Sequence, residues 1–224
     1  MTLKKATLIA LIGLCLNLII KIINTIFPQI VWFPIAAQII TILSVFITAS
    51  LLLFILYFYK QYLTEDTALL REPTLFLIFM VFIILLLRLK GVLQVLPKLQ
   101  TPVYNISPGL YGFLLDNSIG RFSPIISGVY ALSLLVFFST LYGVFRGKKS
   151  PQLQTATRWA VFGSVLNFLL CTLNILVFYF LKEGSWVENS TQKFSSFILI
   201  LFLFASSTFM YFIWIFYKYL EEPH

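Results

Sequence analysis

The sequence predicts an all-α, polytopic membrane protein with six transmembrane helices and both termini in the cytoplasm. Three observations carry that expectation. Six long apolar runs fill most of the 224 residues, and the spans drawn through them contain no Asp or Glu. Hydrophobic residues make up 60% of the chain and charged residues 11%, against about 25% charged in a soluble domain. Basic residues concentrate in alternate loops, as positively charged cytoplasmic loops do. One transmembrane helical domain, 1–224, accounts for the whole chain.

The spans are expected at about 6–27, 35–59, 74–96, 124–145, 159–181 and 194–217. Each is close to the roughly 20 residues that cross a hydrocarbon core. They are too long for barrel strands and lack polar–apolar alternation. The opening Met-Thr-Leu-Lys-Lys before the first run has the look of a signal peptide. However, the run continues to Phe27 and no small-x-small cleavage site follows, so a retained first helix is expected. The second run carries a weak polar face of Gln38, Thr41, Ser44 and Thr48, suited to the bundle interior or to a narrow aqueous path. The fourth is expected to begin at about Pro124.

The loops set the topology. Cytoplasmic termini place Lys4, Lys5, Lys60, Arg71, Arg146, Lys148, Lys149, Arg158 and Lys218 inside. Lys98, Arg121, Lys182 and Lys193 then lie outside, a nine-to-four bias in the usual direction. Trp32 and Trp186 fall near the outer boundary and Trp159 and Trp214 near the inner one, where amphipathic rings settle. The location this implies is a cell membrane, expected to be the bacterial cytoplasmic (plasma) membrane with both termini inside. The net charge of +8 is explained by orientation, and no nucleic-acid partner is expected. The long outer loop, 97–123, contains three glycines, three prolines and several aromatics. It reads as a lid on the helix ends or as a binding loop. The inner segments 61–73 and 147–157 are the surfaces open to a soluble partner. Sequons at Asn105 and Asn189 fall in expected outer loops.

Two features interrupt the apolar pattern. Gly13, Asn17 and Asn24 form one stripe of the first run, and Gly163, Asn167 and Asn174 form the matching stripe of the fifth at a constant offset. The helices that follow both end in Phe-Tyr-Lys, at 58–60 and 216–218. A duplicated hairpin related by an axis along the membrane normal produces such an echo; the middle hairpin shows no such match. Glycine permits close helix approach, and an intramembrane amide seeks a partner. The stripes are therefore expected to join adjacent first and fifth helices, or to line a substrate site.

The second feature is cationic. Lys21, Arg88 and Lys90 lie within spans, in the half facing the outside. A central charge costs at least about 2.5–3.5 kcal/mol on insertion scales. Either Arg88 and Lys90 mark the end of a shorter third span, or Lys21, Arg88, Lys90, Lys98 and Arg121 together form an outward-facing basic pocket. Such a pocket suits an anionic lipid or another phosphate-bearing ligand.

These patterns narrow the function classes. Cys15 and Cys171 lie in apolar runs and read as buried hydrophobes, and the single histidine, His224, ends the chain. Paired-histidine haem ligation and histidine-based zinc chemistry are excluded, and no cofactor or metal is expected. The acids, among them Glu65, Asp66 and Asp116, have no catalytic partner at recognisable spacing, so no enzyme is expected. Proton- or sodium-driven transport usually needs an intramembrane acid. The expected function is a structural, assembly or regulatory subunit of a membrane complex, with a membrane or cytoplasmic protein partner. The alternative is a small transporter or a lipid- or anion-binding protein that uses the basic pocket.

Overall fold

A computed structural model describes residues 1–27, 34–62, 65–95, 118–146, 150–180 and 187–221. Those residues form six long helices: α1 (Leu3–Ile26), α2 (Pro34–Tyr62), α3 (Arg71–Val95), α4 (Ser118–Phe145), α5 (Pro151–Phe180) and α6 (Val187–Tyr219). A short 3-10 helix, Glu65–Leu70, leads into α3. Each of the six contains a stretch long and apolar enough to cross a membrane. The protein is thus an all-helical integral membrane bundle.

The helices begin earlier than expected. α4 starts six residues before Pro124, which lies inside it, and α5 starts at Pro151. Pro151 occupies a first turn, where its missing N–H costs nothing. The preceding Ser150 accepts from Leu153 N at 3.4 Å, as Thr2 accepts from Lys5 N at 3.4 Å at the start of α1. These are side-chain caps on otherwise orphaned amides. The early start of α3 brings Glu72 into its first turn, so the acid-free stretch is shorter than the helix. α3 also continues to Val95, so Arg88 and Lys90 lie within the helix and do not mark its end. Asn189 falls in the first turn of α6, not in a loop. The described residues of the inner segments, 61–62, 65–73 and 150–157, are helical except for Ser150, while Asn105 and most of the outer loop lie outside the described residues.

The helices pack in sequence order around a ring, and α6 closes it against α1. Both termini lie at one end, where Lys4 Nζ approaches Glu221 Oε1 at 3.1 Å. This is the terminal end of the ring, and the opposite one is the distal end. Each helix turns an apolar stripe outward; on α3 it runs through Leu75, Phe79, Phe82, Leu86, Leu89 and Leu93, all exposed. The steps of three and four are those of one helix face. A helix apolar on both faces belongs in lipid.

Lipid supplies no hydrophobic drive between helices, so packing and hydrogen bonds hold the ring. A methyl on Gly13 would run into Ser50 Oγ of α2, and one on Gly163 into Thr208 Oγ1 of α6. The two stripe glycines thus serve the close contacts α1–α2 and α5–α6. The expected α1–α5 neighbourhood is not formed, because α6 lies between them in the ring.

The hairpin echo extends further in the structure than in the first and last hairpins alone. Thr7, Thr74 and Thr157 are each fully buried. They donate to Leu3 O, Leu70 O and Leu153 O at 2.8, 2.6 and 2.7 Å. On the second helices, Ser50, Ser133 and Thr208 donate to Ile47 O, Tyr130 O and Ala205 O at 2.7, 2.7 and 2.8 Å. Four residues after each of these stands a buried phenylalanine: Phe54, Phe137 and Phe212. The middle hairpin, α3–α4, therefore matches its neighbours. Its signal is short: Leu-x-x-Ala/Pro-Thr at 3–7, 70–74 and 153–157, then Ser/Thr-x-x-x-Phe at 50–54, 133–137 and 208–212.

Candidate functional site: a cationic cavity inside the ring

The ring is filled at its terminal end and hollow toward the distal end. In the filled half, Phe54 meets Phe216 edge-on at 6.0 Å between ring centroids, and Phe58 meets Phe137 at 5.7 Å. Phe138 and Phe212 make a third edge-on pair at 5.1 Å. Such pairs add about 0.5–1.5 kcal/mol each beyond the area they bury. Leu77, Leu141 and Phe145 belong to the same core.

Above it lies a cavity of about 510 Å³ to which all six helices contribute. That size falls in the range of about 300–1,000 Å³ typical of small-molecule sites. Leu51, Leu134 and Phe209 line it, as do Asn17, Asn167 and Thr48. Lys21 and Arg88 supply two positive charges, and Cys171, Tyr130, Ser123, Ser127 and Ser206 complete its polar lining. No Asp or Glu is among the described lining residues.

The two cations are held inward by the backbone and hydroxyls of neighbouring helices. Lys21 Nζ donates to Ser206 Oγ of α6 at 2.6 Å and lies 5.6 Å from the Phe202 ring centroid. Arg88 Nη1 donates to Ser44 O of α2 at 2.6 Å, a carbonyl that also accepts from Thr48 Oγ1 at 2.8 Å. Thr48 belongs to the polar face expected on the second helix. A guanidinium carries five N–H donors, and Ser44 O is the one hydrogen-bond acceptor that Arg88 has among the described residues. Lys21 lies within electrostatic reach of both Arg88 and Cys171. Two like charges in a low-dielectric space repel, and an anion between them relieves the repulsion.

The five basic residues of the expected pocket therefore divide. Lys21 and Arg88 meet in the cavity, whereas Lys90 is partly exposed on the same helix and is not part of its lining. Lys98 lies outside the described residues, and Arg121 lies in the first turn of α4 with its side chain outside them. Of the amides, Asn17 and Asn167 line the cavity, Asn174 is exposed, and the side chain of Asn24 lies outside the described residues. Tyr130, Ser127 and Ser206 were not singled out by sequence. Their signal is the correspondence of the hairpins: Tyr130 stands where Ile47 does, and Ser206 where Thr48 does.

The geometry suits capture of a negatively charged group by charge and multiple hydrogen-bond donors, with apolar walls for whatever is attached to it. No protein-family model, curated protein or solved structure matches the chain.

Proposed function

We propose that this chain is a non-enzymatic membrane protein that binds an anionic, phosphate-type group in its central cavity. The observation that carries the reading is the pair Lys21 and Arg88, turned into one cavity without a lining acid among the described residues. Keeping such charges inside a bundle is costly, and a bound anion offsets that cost. With the termini in the cytoplasm, as the basic loops favour, the cavity belongs to the outer half of the bilayer. The bacterial plasma membrane is the proposed location. The decisive experiment is lipid and metabolite mass spectrometry on protein purified in mild detergent. The expected result is a phosphate-bearing species that stays with the wild type and is lost from Arg88→Gln. Identical co-purified species in both would remove the reading.

The filled terminal half supports a second reading, a structural, assembly or regulatory subunit of a membrane complex. A plugged ring holds an occupant without offering it a way through. Cross-linking in native membranes tests this by recovery of a stoichiometric protein partner.

A further inference from the structure

The three hairpins α1–α2, α3–α4 and α5–α6 are related by more than internal hydrogen bonds. Their mutual contacts also repeat around the ring. Phe54 meets Phe216 of the preceding hairpin with rings at 79°, and Phe137 meets Phe58 of its own preceding hairpin at 77°. At the terminal end, Arg71 Nε donates to Tyr59 Oη at 3.3 Å, and Lys4, the residue equivalent to Arg71, lies 5.6 Å from the Tyr217 ring. Tyr142, equivalent to Tyr59 and Tyr217, has Arg158 at 5.9 Å. A cyclic repetition of hairpins and contacts defines a pseudo-threefold axis along the bundle.

The cavity lies on that axis. Leu51, Leu134 and Phe209 are equivalent and all line it, and so are and do Asn17, Ile84 and Asn167. One helical turn further toward the distal end, the equivalent set is Lys21, Arg88 and Cys171, and all three line the cavity. The two cations and the cysteine are therefore the three corners of one layer, and the two asparagines with Ile84 are the corners of the next.

We propose that this layer is a three-sided oxyanion site that takes a phosphoryl group of monoester type, with Cys171 as its uncharged third corner. The proposal rests on the reading of the cavity as an anion site and names the chemistry of its occupant. A phosphoryl group presents three oxygens around its own threefold axis, whereas a carboxylate presents two in a plane. A phosphate monoester carries about −1.5 to −2 charges at pH 7, which matches Lys21 plus Arg88. Arginine engages such oxygens through paired N–H donors. Asn17 and Asn167 supply neutral amide donors within the same cavity. The group is the headgroup of a lipid phosphomonoester or the free phosphate ion.

The test uses the full chain in nanodiscs of zwitterionic phosphatidylcholine, titrated by calorimetry with inorganic phosphate and with acetate. Parallel discs contain phosphatidic acid, whose retention is read by native mass spectrometry. Wild type, Arg88→Gln, Cys171→Arg and Ile84→Asn are compared. The expected result is a phosphate-type probe bound at least ten-fold more tightly than acetate, and at least ten-fold more weakly by Arg88→Gln. Cys171→Arg completes the charged layer and tightens that probe at least three-fold. Ile84→Asn completes the amide layer and tightens it too, and it decides the matter if Cys171→Arg does not fold. Inorganic phosphate binding in pure phosphatidylcholine identifies the free ion as the source. Retained phosphatidic acid that inorganic phosphate fails to displace identifies the lipid. Acetate binding as tightly as the phosphate probes overturns the three-sided site while leaving an anion cavity. So does a folded completing variant that leaves the phosphate probe unchanged or weakened. Failure of every probe to bind wild type, or equal binding by Arg88→Gln, overturns the underlying reading itself.

Discussion

Along α2, Phe54 and Phe58 are sealed against Phe216 and Phe137 at the terminal end, whereas Thr48 and Leu51, a turn or two earlier, border an open cavity. The same six helices make both halves. The difference lies in what the inward positions carry: aromatic rings that interlock in one half, and short hydroxyls, amides and two cations in the other. The filled half fixes the ring, and the hollow half is free to hold a ligand. Stability and binding should therefore separate by position.

The largest expected effect is in the filled half. Phe216→Ala removes one ring from a cluster that includes Phe54, Phe58 and Phe212. It should destabilise by on the order of 3–5 kcal/mol, read as a lowered midpoint in denaturation from detergent. Phosphate affinity of the fraction still folded should change little. Next come the close approaches. Gly13→Val and Gly163→Val each push a side chain into a neighbouring helix and should cost about 1–3 kcal/mol as overpacking. Gly143→Val, with no atom in the way, should leave the midpoint within roughly 0.5 kcal/mol of wild type. Equal effects at all three glycines would break the claim that two of them mark tight contacts.

In the hollow half the signs reverse. Arg88→Gln should lower phosphate affinity at least ten-fold, about 1.4 kcal/mol, while stability without ligand stays level or rises because a costly charge is gone. A large loss of stability with unchanged affinity would exchange the roles of the halves. The smallest effect belongs to the Lys4–Glu221 contact at the ring closure. The Glu221 carboxyl is held below the usual carboxylate range by its hydrogen bond with Lys4 and then by that with Tyr217. A depressed acid stabilises above its unfolded pKa and loses that contribution as pH falls through its folded one. Glu221→Gln should thus lower the melting temperature slightly at pH 7, and the gap should close in acid. Both partners are exposed, so the shift should be small.

The membrane-spanning character of all six helices was legible from length and hydropathy alone, because lipid imposes a coarse rule on every span. The helix starts were less legible. Segments such as 151–158 are polar enough to read as loop, and the Asp116-Asn117 pair before Ser118, residue types that favour a helix start, stands ahead of a proline at 124 that reads as a start itself. The inward direction of Lys21 was within reach from its stripe with Asn17. Arg88 was ambiguous, because a cation near an expected helix end snorkels as readily as it turns inward. Its place became definite once α3 was seen to continue to Val95. The ring order could not be read from the paired asparagines, since two stripes that face a shared cavity carry the same pattern as two that face each other. The middle hairpin hid its kinship because Met80, Ile84 and Arg88 stand where Gly13, Asn17 and Lys21 do, so the shared residues are the small Leu-x-x-Ala/Pro-Thr and Ser/Thr-x-x-x-Phe signatures.

The central claim is that the hollow half binds an anion through Lys21 and Arg88. It is tested most directly by melting wild type and the double variant Lys21→Gln/Arg88→Gln across a series of phosphate or phosphatidic acid concentrations. Ligand that binds the folded state raises the midpoint with concentration. The account predicts a rising midpoint for wild type and a flat one for the double variant. Parallel rises in both would contradict it.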